Sequence, residues 1–232
     1  MRIDTALLRA AQEGGAFLRL YRWNPPCLSF GRNEPAATRY DRARIEALGL
    51  DVVRRPTGGR AVWHDTEVTY AVAAPVALFG PLRVTYHSIH ATIVAALRRL
   101  GVPATLADGR EPVPHTGAGA CFASPAGGEV TVDGRKLVGS AQTREGEAFL
   151  QHGSILLADA QGLVADLTVG SARALAAVSL AEVLGRTVTF AETSAAIAHA
   201  ARAYWRGVWE EGGIPTVPAD DRYADPAWTW RR

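Results

Sequence analysis

The chain has 232 residues, 48% of them apolar and 21% charged, with a formal net charge of +2 and two cysteines. That length supports one sizeable core or at most two small ones, in the composition of an ordinary globular protein. No apolar run approaches the roughly 20 residues that cross a bilayer, and so weak a charge does not indicate nucleic-acid binding.

Two cysteines do not make a disulfide framework, which favours free thiols and a cytoplasmic setting. The N-terminus carries an acid within an amphipathic pattern, so it does not read as a signal peptide. "IDTALLRAAQEG" has helical spacing, with Ile3, Leu7, Leu8 and Ala11 on one side and Gly14-Gly15 as its stop. "AFLRLYRW" and "CLSFGR" read as two strands joined at a turn imposed by Asn24-Pro25-Pro26. "AATRYDRARIEALG" predicts a short helix closed by Gly49, followed by the strand "LDVVRR". After "PTGG", the alternation of Val68, Tyr70 and Val72 predicts a half-buried strand. Residues 85–100 make the clearest helix, with Tyr86, Ile89, Ile93, Leu97 and Leu100 in one stripe. A Gly/Pro-rich connection at 107–120 leads to Cys121.

"EVTVDGRKLVGSAQTR" predicts a hairpin turning at Asp133-Gly134, and "AFLQHGSILLA" another strand. From 162 onward the pattern is mainly helical, with Ile197, Ala201, Trp205 and Val208 assigned to one face of the last long helix. The class is α+β on a largely antiparallel sheet flanked by helices. No composition break marks a boundary, so 1–232 reads as a single domain, with room for 162–232 to pack as a mainly helical lobe.

Three stretches carry polar chemistry. In "RRPTGGRAVWHD" (54–65), Gly58 and Gly59 permit close backbone approach, and their exposed amides beside arginines can hold a phosphate or a carbonyl oxygen. No Lys-Ser/Thr follows, so this is not a Walker loop. From the glycines alone, a hairpin turn with surface arginines is the stronger account. The second stretch holds Lys136, the only lysine beside 24 arginines, fifteen residues after Cys121. Lysine can lower the pKa of a nearby thiol and can shed its own proton when desolvated, which arginine does not do. A buried thiol beside a hairpin-surface charge explains the same residues, and Cys27, within an apolar strand, takes that plain reading. In the third, "LQHGSILL", polar residues and a glycine interrupt an apolar strand, as either a bulge or a site wall would. The six histidines (64, 87, 90, 115, 152, 199) show no ligand spacing beyond His87 and His90, so no metal site is expected.

Together "RRPTGGRAVWHD", "GRKLVGSAQTR" and "LQHGSILL", in this order, resemble the lipoate-protein ligase, octanoyltransferase and biotin-ligase superfamily over nearly the whole chain. The resemblance implies an α+β fold with a mixed sheet whose cleft holds an octanoyl or lipoyl chain. It is nearest to the cysteine-dependent branch that moves octanoate from octanoyl-acyl carrier protein to a lysine of lipoyl domains or glycine-cleavage H protein. On that likeness Cys121 maps onto the nucleophile and Lys136 onto the pKa-lowering lysine. The cleft would be lined by Arg55, Thr57, Gly58, Gly59, Arg60, His64, Gly139, Ser140, Ala141, His152 and Gly153. No cofactor is implied; ATP and magnesium enter only for the rival reading, an ATP-dependent lipoate ligase. Two further rivals are an amidotransferase between lipoyl-type domains and a non-catalytic homologue that binds acyl groups or partners. The chain departs from the family in two places. Met1 falls almost at the helix that a strand usually precedes, and Gly127-Gly128 stand where an aromatic residue usually precedes the glutamate.

Overall fold

The computed structural model describes residues 1–108, 127–170, 177–217 and 220–231. In chain order the elements are α1 (Arg2–Gln12), β1 (Phe17–Tyr21), β2 (Cys27–Phe30), α2 (Ala36–Arg39), α3 (Arg42–Ala47), β3 (Asp51–Arg54), β4 (Val62–His64) and β5 (Glu67–Pro75). There follow α4 (Val76–Phe79), α5 (Leu82–Arg99), β6 (Thr105–Leu106), β7 (Val130–Val132), β8 (Arg135–Lys136), β9 (Val138–Glu145) and β10 (Ala148–Leu156). The last are α6 (Gly162–Asp166), α7 (Leu180–Leu184), α8 (Phe190–Tyr204) and α9 (Pro226–Thr229).

The apolar stripes predict the main packing. The alternating set Val68, Tyr70, Val72 and Ala74 lies in one core cluster with Ile89, Ile93 and Leu97 of α5 and Ile197 and Ala200 of α8. Fully burying each such aliphatic side chain is worth about 1.5–3 kcal/mol. The opposite face of β5 is not solvated as half-burial predicts: Ala71 and Ala73 are covered by Leu7, Leu8 and Ala11 of α1. Small residues there let the helix lie close, so β5 is buried on both faces.

The principal sheet has the order β1-β5-β10-β9, all antiparallel. A second sheet, β3-β2-β4, includes one parallel pair, β2 with β3, and a third is β6-β7-β8. The fold is thus α+β on largely antiparallel sheets. The strands on either side of Asn24-Pro25-Pro26 do not pair, because β1 joins β5 while β2 crosses to the second sheet. "AATRYDRARIEALG" forms two short helices rather than one, interrupted where Tyr40 bridges to Thr168. The hairpin at Asp133-Gly134 forms as predicted, with both residues at positive φ, 49° and 73°.

α8 starts at a capping box in which Thr189 accepts from the Glu192 amide. It stops at Tyr204, so Trp205 caps it and Val208, 94% exposed, lies beyond rather than on its face. Trp205 still packs edge-on against Phe79 at 5.4 Å. Helix α8 lies along α5, while α6 contacts β4 and α9 contacts β3.

Candidate active site

The "RRPTGG" loop is held by its own arginines. Arg54 is fully buried and donates to the carbonyls of Gly31 (2.7 Å), Glu34 (2.7 Å), Trp228 (2.8 Å) and Thr229 (2.9 Å), tying the loop to the C-terminal segment. Arg55 donates to the carbonyl and hydroxyl of Ser29 and to the carbonyls of Gly58 and Arg60. The loop packs so tightly that a Cβ on Gly31 would fall 1.7 Å from the Gly59 oxygen. Gly59, at φ 88°, adopts a backbone that side chains disfavour.

Below the loop, the strand stretches Gly139–Ala141 and His152–Ser154 lie side by side, with His152 opposite Ala71 on one flank and Ala141 on the other. "QHGS" therefore makes no bulge: the register of β10 with β5 runs unbroken, and the polar run forms a wall. This wall, with Tyr21, Trp23, Arg55, Val62, His64 and Thr69, bounds a cleft of ≈ 330 Å³ including its mouth. Trp23 stacks on His64 at 4.4 Å and donates to Thr69 at 3.0 Å. Gly153 is a requirement of packing, since a Cβ there would lie 2.5 Å from both the Gly139 oxygen and Ser140 Oγ.

Two parallel hydroxyl–imidazole–carboxylate chains support the cleft. In one, Ser29 Oγ meets His64 Nε2 at 2.5 Å and His64 Nδ1 meets Glu67 Oε1 at 2.8 Å, an oxygen that also accepts from Ser154 and Thr69. In the other, Thr57 Oγ1 meets His152 Nε2 at 2.6 Å and His152 Nδ1 meets Asp4 Oδ2 at 3.0 Å. Burial alone would raise the Asp4 carboxyl, but the His152 hydrogen bond and the Arg19 guanidinium hold it well below the usual carboxylate range. Burial lowers the His152 pKa against the pull of Asp4. Apart from Glu67 Oε2, which meets no hydrogen-bond partner among the described residues, the polar side-chain atoms of these chains bond to one another, and the cleft surface is mainly apolar although its residue types are polar.

Lys136 is 2% exposed, and its Nζ donates to Glu129 Oε1 at 2.7 Å. The buried ammonium needs such a counter-charge. Beside it His90, also buried, meets the Gly128 carbonyl through Nδ1 (2.7 Å) and Ser140 Oγ through Nε2 (2.8 Å). Tyr70 OH lies 2.7 Å from the same Ser140 Oγ and accepts from Gln151 at 3.0 Å.

Of the residues singled out from sequence, the structure brings Arg55, His64, Gly139, Ser140, Ala141, His152 and Gly153 to the cleft. Thr57 stands behind His152, and a Cβ on Gly59 would lie 3.9 Å from Ala141 Cβ. Gly58 and Arg60 are carbonyl partners of Arg55 rather than cleft walls. Lys136 lies three residues before Gly139, outside the lining. Cys121 lies outside the described residues. Cys27 is buried with its thiol pKa pushed up to about 12 by desolvation, the plain role expected of it. Among the described residues, no group of three or more His, Cys, Asp and Glu is placed to hold a metal, and no helix is long and apolar enough to cross a membrane.

Sequence reasoning missed Asp4, Ser29, Glu67, Tyr70, His90 and Glu129. Asp4 and His90 left a signal: each is a polar residue on the apolar stripe of an amphipathic helix, where a charge or imidazole needs a buried partner.

Fold and cleft together define a protein of the lipoate-ligase architecture. The bipartite lipoate protein ligase of the Thermoplasma acidophilum lipoylation system matches with a TM-score of 0.76 over 99% of this chain and 89% of that one, at 19% identity, a likeness of fold. The chain belongs to the family of the lipoyl protein ligase A/B catalytic domain, whose sequence pattern matches residues 1–202. Relatives include the octanoyltransferase LipM of Moorella thermoacetica, 44% identical over 81% of this chain and 75% of that protein. The octanoyltransferase LipM of Kyrpidia tusciae is also 44% identical, over 75% of this chain and 67% of that protein.

Proposed function

We propose that this protein is an octanoyltransferase. It takes octanoate from octanoyl-acyl carrier protein and delivers it to the target lysine of a lipoyl domain or of glycine-cleavage H protein. The observation that carries the reading is the cleft itself, a narrow slot whose polar wall residues bond to one another and leave an apolar lining suited to an alkyl chain. The relatives named octanoyltransferase support the choice of chain and of reaction.

In the proposed sequence, the Cys121 thiolate attacks the thioester carbonyl, the new C–S bond forms, and the carrier departs as a thiolate that holds the electron pair of the broken C–S bond and takes a proton from solvent. Lys136, as an ammonium, favours the thiolate. The target ε-amine then attacks the new thioester, the C–N bond forms, and the electron pair of the C–S bond returns to sulfur. Exchange between thioesters is near neutral and amide formation from a thioester is downhill, so neither ATP nor a metal is needed. The setting is cytoplasmic, with acidic carrier and lipoyl domains as partners for the arginine-rich surface.

The test is intact mass after mixing with octanoyl-acyl carrier protein without ATP, beside Cys121→Ser. One octanoyl group, labile to hydroxylamine and missing from the variant, is the expected result. Octanoylation only from octanoylated H protein would assign an amidotransferase. Transfer only with lipoate and ATP would assign a ligase, and binding without transfer would assign a non-catalytic homologue.

A further inference from the structure

A buried hydrogen-bond chain crosses the principal sheet and ends next to the residue that holds Lys136. The Gly128 carbonyl can only accept, so the Nδ1 of His90 that meets it at 2.7 Å carries the ring proton. Burial pushes the His90 pKa down to about 4, so at neutral pH Nε2 is an acceptor. Ser140 Oγ, at 2.8 Å against 3.3 Å for Tyr70 OH, donates to it. Tyr70 donates in turn to Ser140 at 2.7 Å and accepts from Gln151 at 3.0 Å, and Gln151 accepts from Gln142 at 3.2 Å. Each of these bonds points the same way, toward Gly128.

The peptide at the end of the chain has little else to fix it. Gly127 and Gly128 carry no side chains, and Gly128, at φ 82°, uses the backbone freedom of glycine. The Gly128 N–H donates to the Ala107 carbonyl at 2.9 Å, and the Ala107 N–H donates to the Glu129 carbonyl at 2.7 Å. Between those two anchors lies the peptide whose oxygen His90 holds, and it leads directly into Glu129, whose carboxylate meets Lys136 Nζ at 2.7 Å. The His90 ring is fully buried with Tyr86 edge-on at 4.2 Å, so its donor stays in one place.

We infer that His90 is a positioning residue for the Glu129–Lys136 pair: its Nδ1–H fixes the Gly128 peptide and, through it, the carboxylate that holds the Lys136 ammonium. This rests on the proposed role of Lys136 in favouring the cysteine thiolate and deepens it. His90 moves no proton and forms no bond in the reaction. Its effect is on where the buried charge sits.

The test separates the two ring nitrogens. His90→Asn keeps an amide donor where Nδ1 stands, and His90→Gln keeps a polar group only where Nε2 stands. The pKa of the Cys121 thiol is read from the pH dependence of its alkylation by iodoacetamide, located by peptide mass, in these two variants, the wild type and Lys136→Met. In His90→Gln it rises by about one unit, toward its value in Lys136→Met, while in His90→Asn it stays within about 0.3 unit of wild type. In the Lys136→Met background, His90→Gln has no further effect. Equal shifts in the two His90 variants, no shift in His90→Gln, or a further rise in the Lys136→Met background overturns the inference and leaves octanoyl transfer intact. A folded His90→Asn protein with the thiol pKa of Lys136→Met overturns it on its own. A thiol pKa shared by wild type and Lys136→Met overturns the proposed role of Lys136, and the inference with it.

Discussion

Lys136 Nζ lies 2.7 Å from Glu129 Oε1, and the two side chains are 2% and 5% exposed as residues. The only lysine of the chain is thus an interior ion pair rather than a surface charge. A compact ammonium meets one carboxylate oxygen there as a point charge, where arginine would bring a planar fork of five donors. Removing Glu129 takes away the carboxylate that meets Nζ at 2.7 Å, so Glu129→Ala is expected to destabilise by about 3 kcal/mol. The double change Glu129→Leu with Lys136→Met recovers most of that loss, and under the proposed mechanism it transfers no octanoate, since it lacks the ammonium. Urea unfolding of the two proteins, with an acyl-transfer assay on each, checks both halves.

The glycines of the site divide into those that packing requires and those it does not. Gly31→Ala places a methyl 1.7 Å from the Gly59 carbonyl oxygen, and Gly153→Ala places one 2.5 Å from the Gly139 oxygen. Both neighbours are backbone and cannot swing away, so each change is expected to cost about 3 kcal/mol or more. Gly58→Ala meets nothing within 4 Å, and its stability stays within about 0.5 kcal/mol of wild type. Thermal melting of the three variants decides, with a large loss in Gly58→Ala as the result that contradicts this picture.

Element types were legible along most of the chain because periodicity is a local signal. Val68, Tyr70 and Val72 read as one face of a strand and do line one core, and Asp133-Gly134 reads as a tight turn and is one. Pairing was not legible, because nothing local in Phe17–Tyr21 says that its partner is β5 fifty residues on rather than β2 after the next turn. The cleft was legible as residue types: His64, Ser140 and His152 stand out in apolar strands. Their partners Asp4, Ser29 and Glu67 were not, since a hydrogen-bonded chain across 148 residues leaves no spacing pattern. Trp205 and Val208 misled for the opposite reason: the helical period continues in sequence past the point where Gly207, at φ 138°, follows the end of the helix.

Arg54 connects distant parts of the chain through carbonyls alone. Its guanidinium holds the Gly31 and Glu34 carbonyls on one side and those of Trp228 and Thr229 on the other. Burial lowers its pKa to about 10, which keeps it charged at neutral pH. Lysine has three donors on one point and cannot span both sets. Arg54→Lys is expected to lose about 2–4 kcal/mol and to expose the C-terminal segment. Limited proteolysis should cut near residues 220–231 in the variant and spare them in the wild type.

The buried imidazoles make the fold acid-sensitive in a defined window. His90 has a folded pKa of about 4 against an ordinary 6.5, so between those values the unfolded chain binds a proton that the native one does not. Stability from this residue is complete above pH 6.5 and is lost as the pH falls toward 4. At about 1.4 kcal/mol per pKa unit it amounts to at most about 3–4 kcal/mol. His152 is shifted in the same direction, and the depressed Asp4 carboxyl adds a loss that continues below pH 4. His90→Phe removes the first contribution, so urea midpoints measured from pH 7 to pH 4 should fall less steeply in the variant than in the wild type. Parallel profiles would mean that the ring takes up its proton in the folded protein as readily as in the unfolded chain. The His90 nitrogen would then donate to Ser140 Oγ.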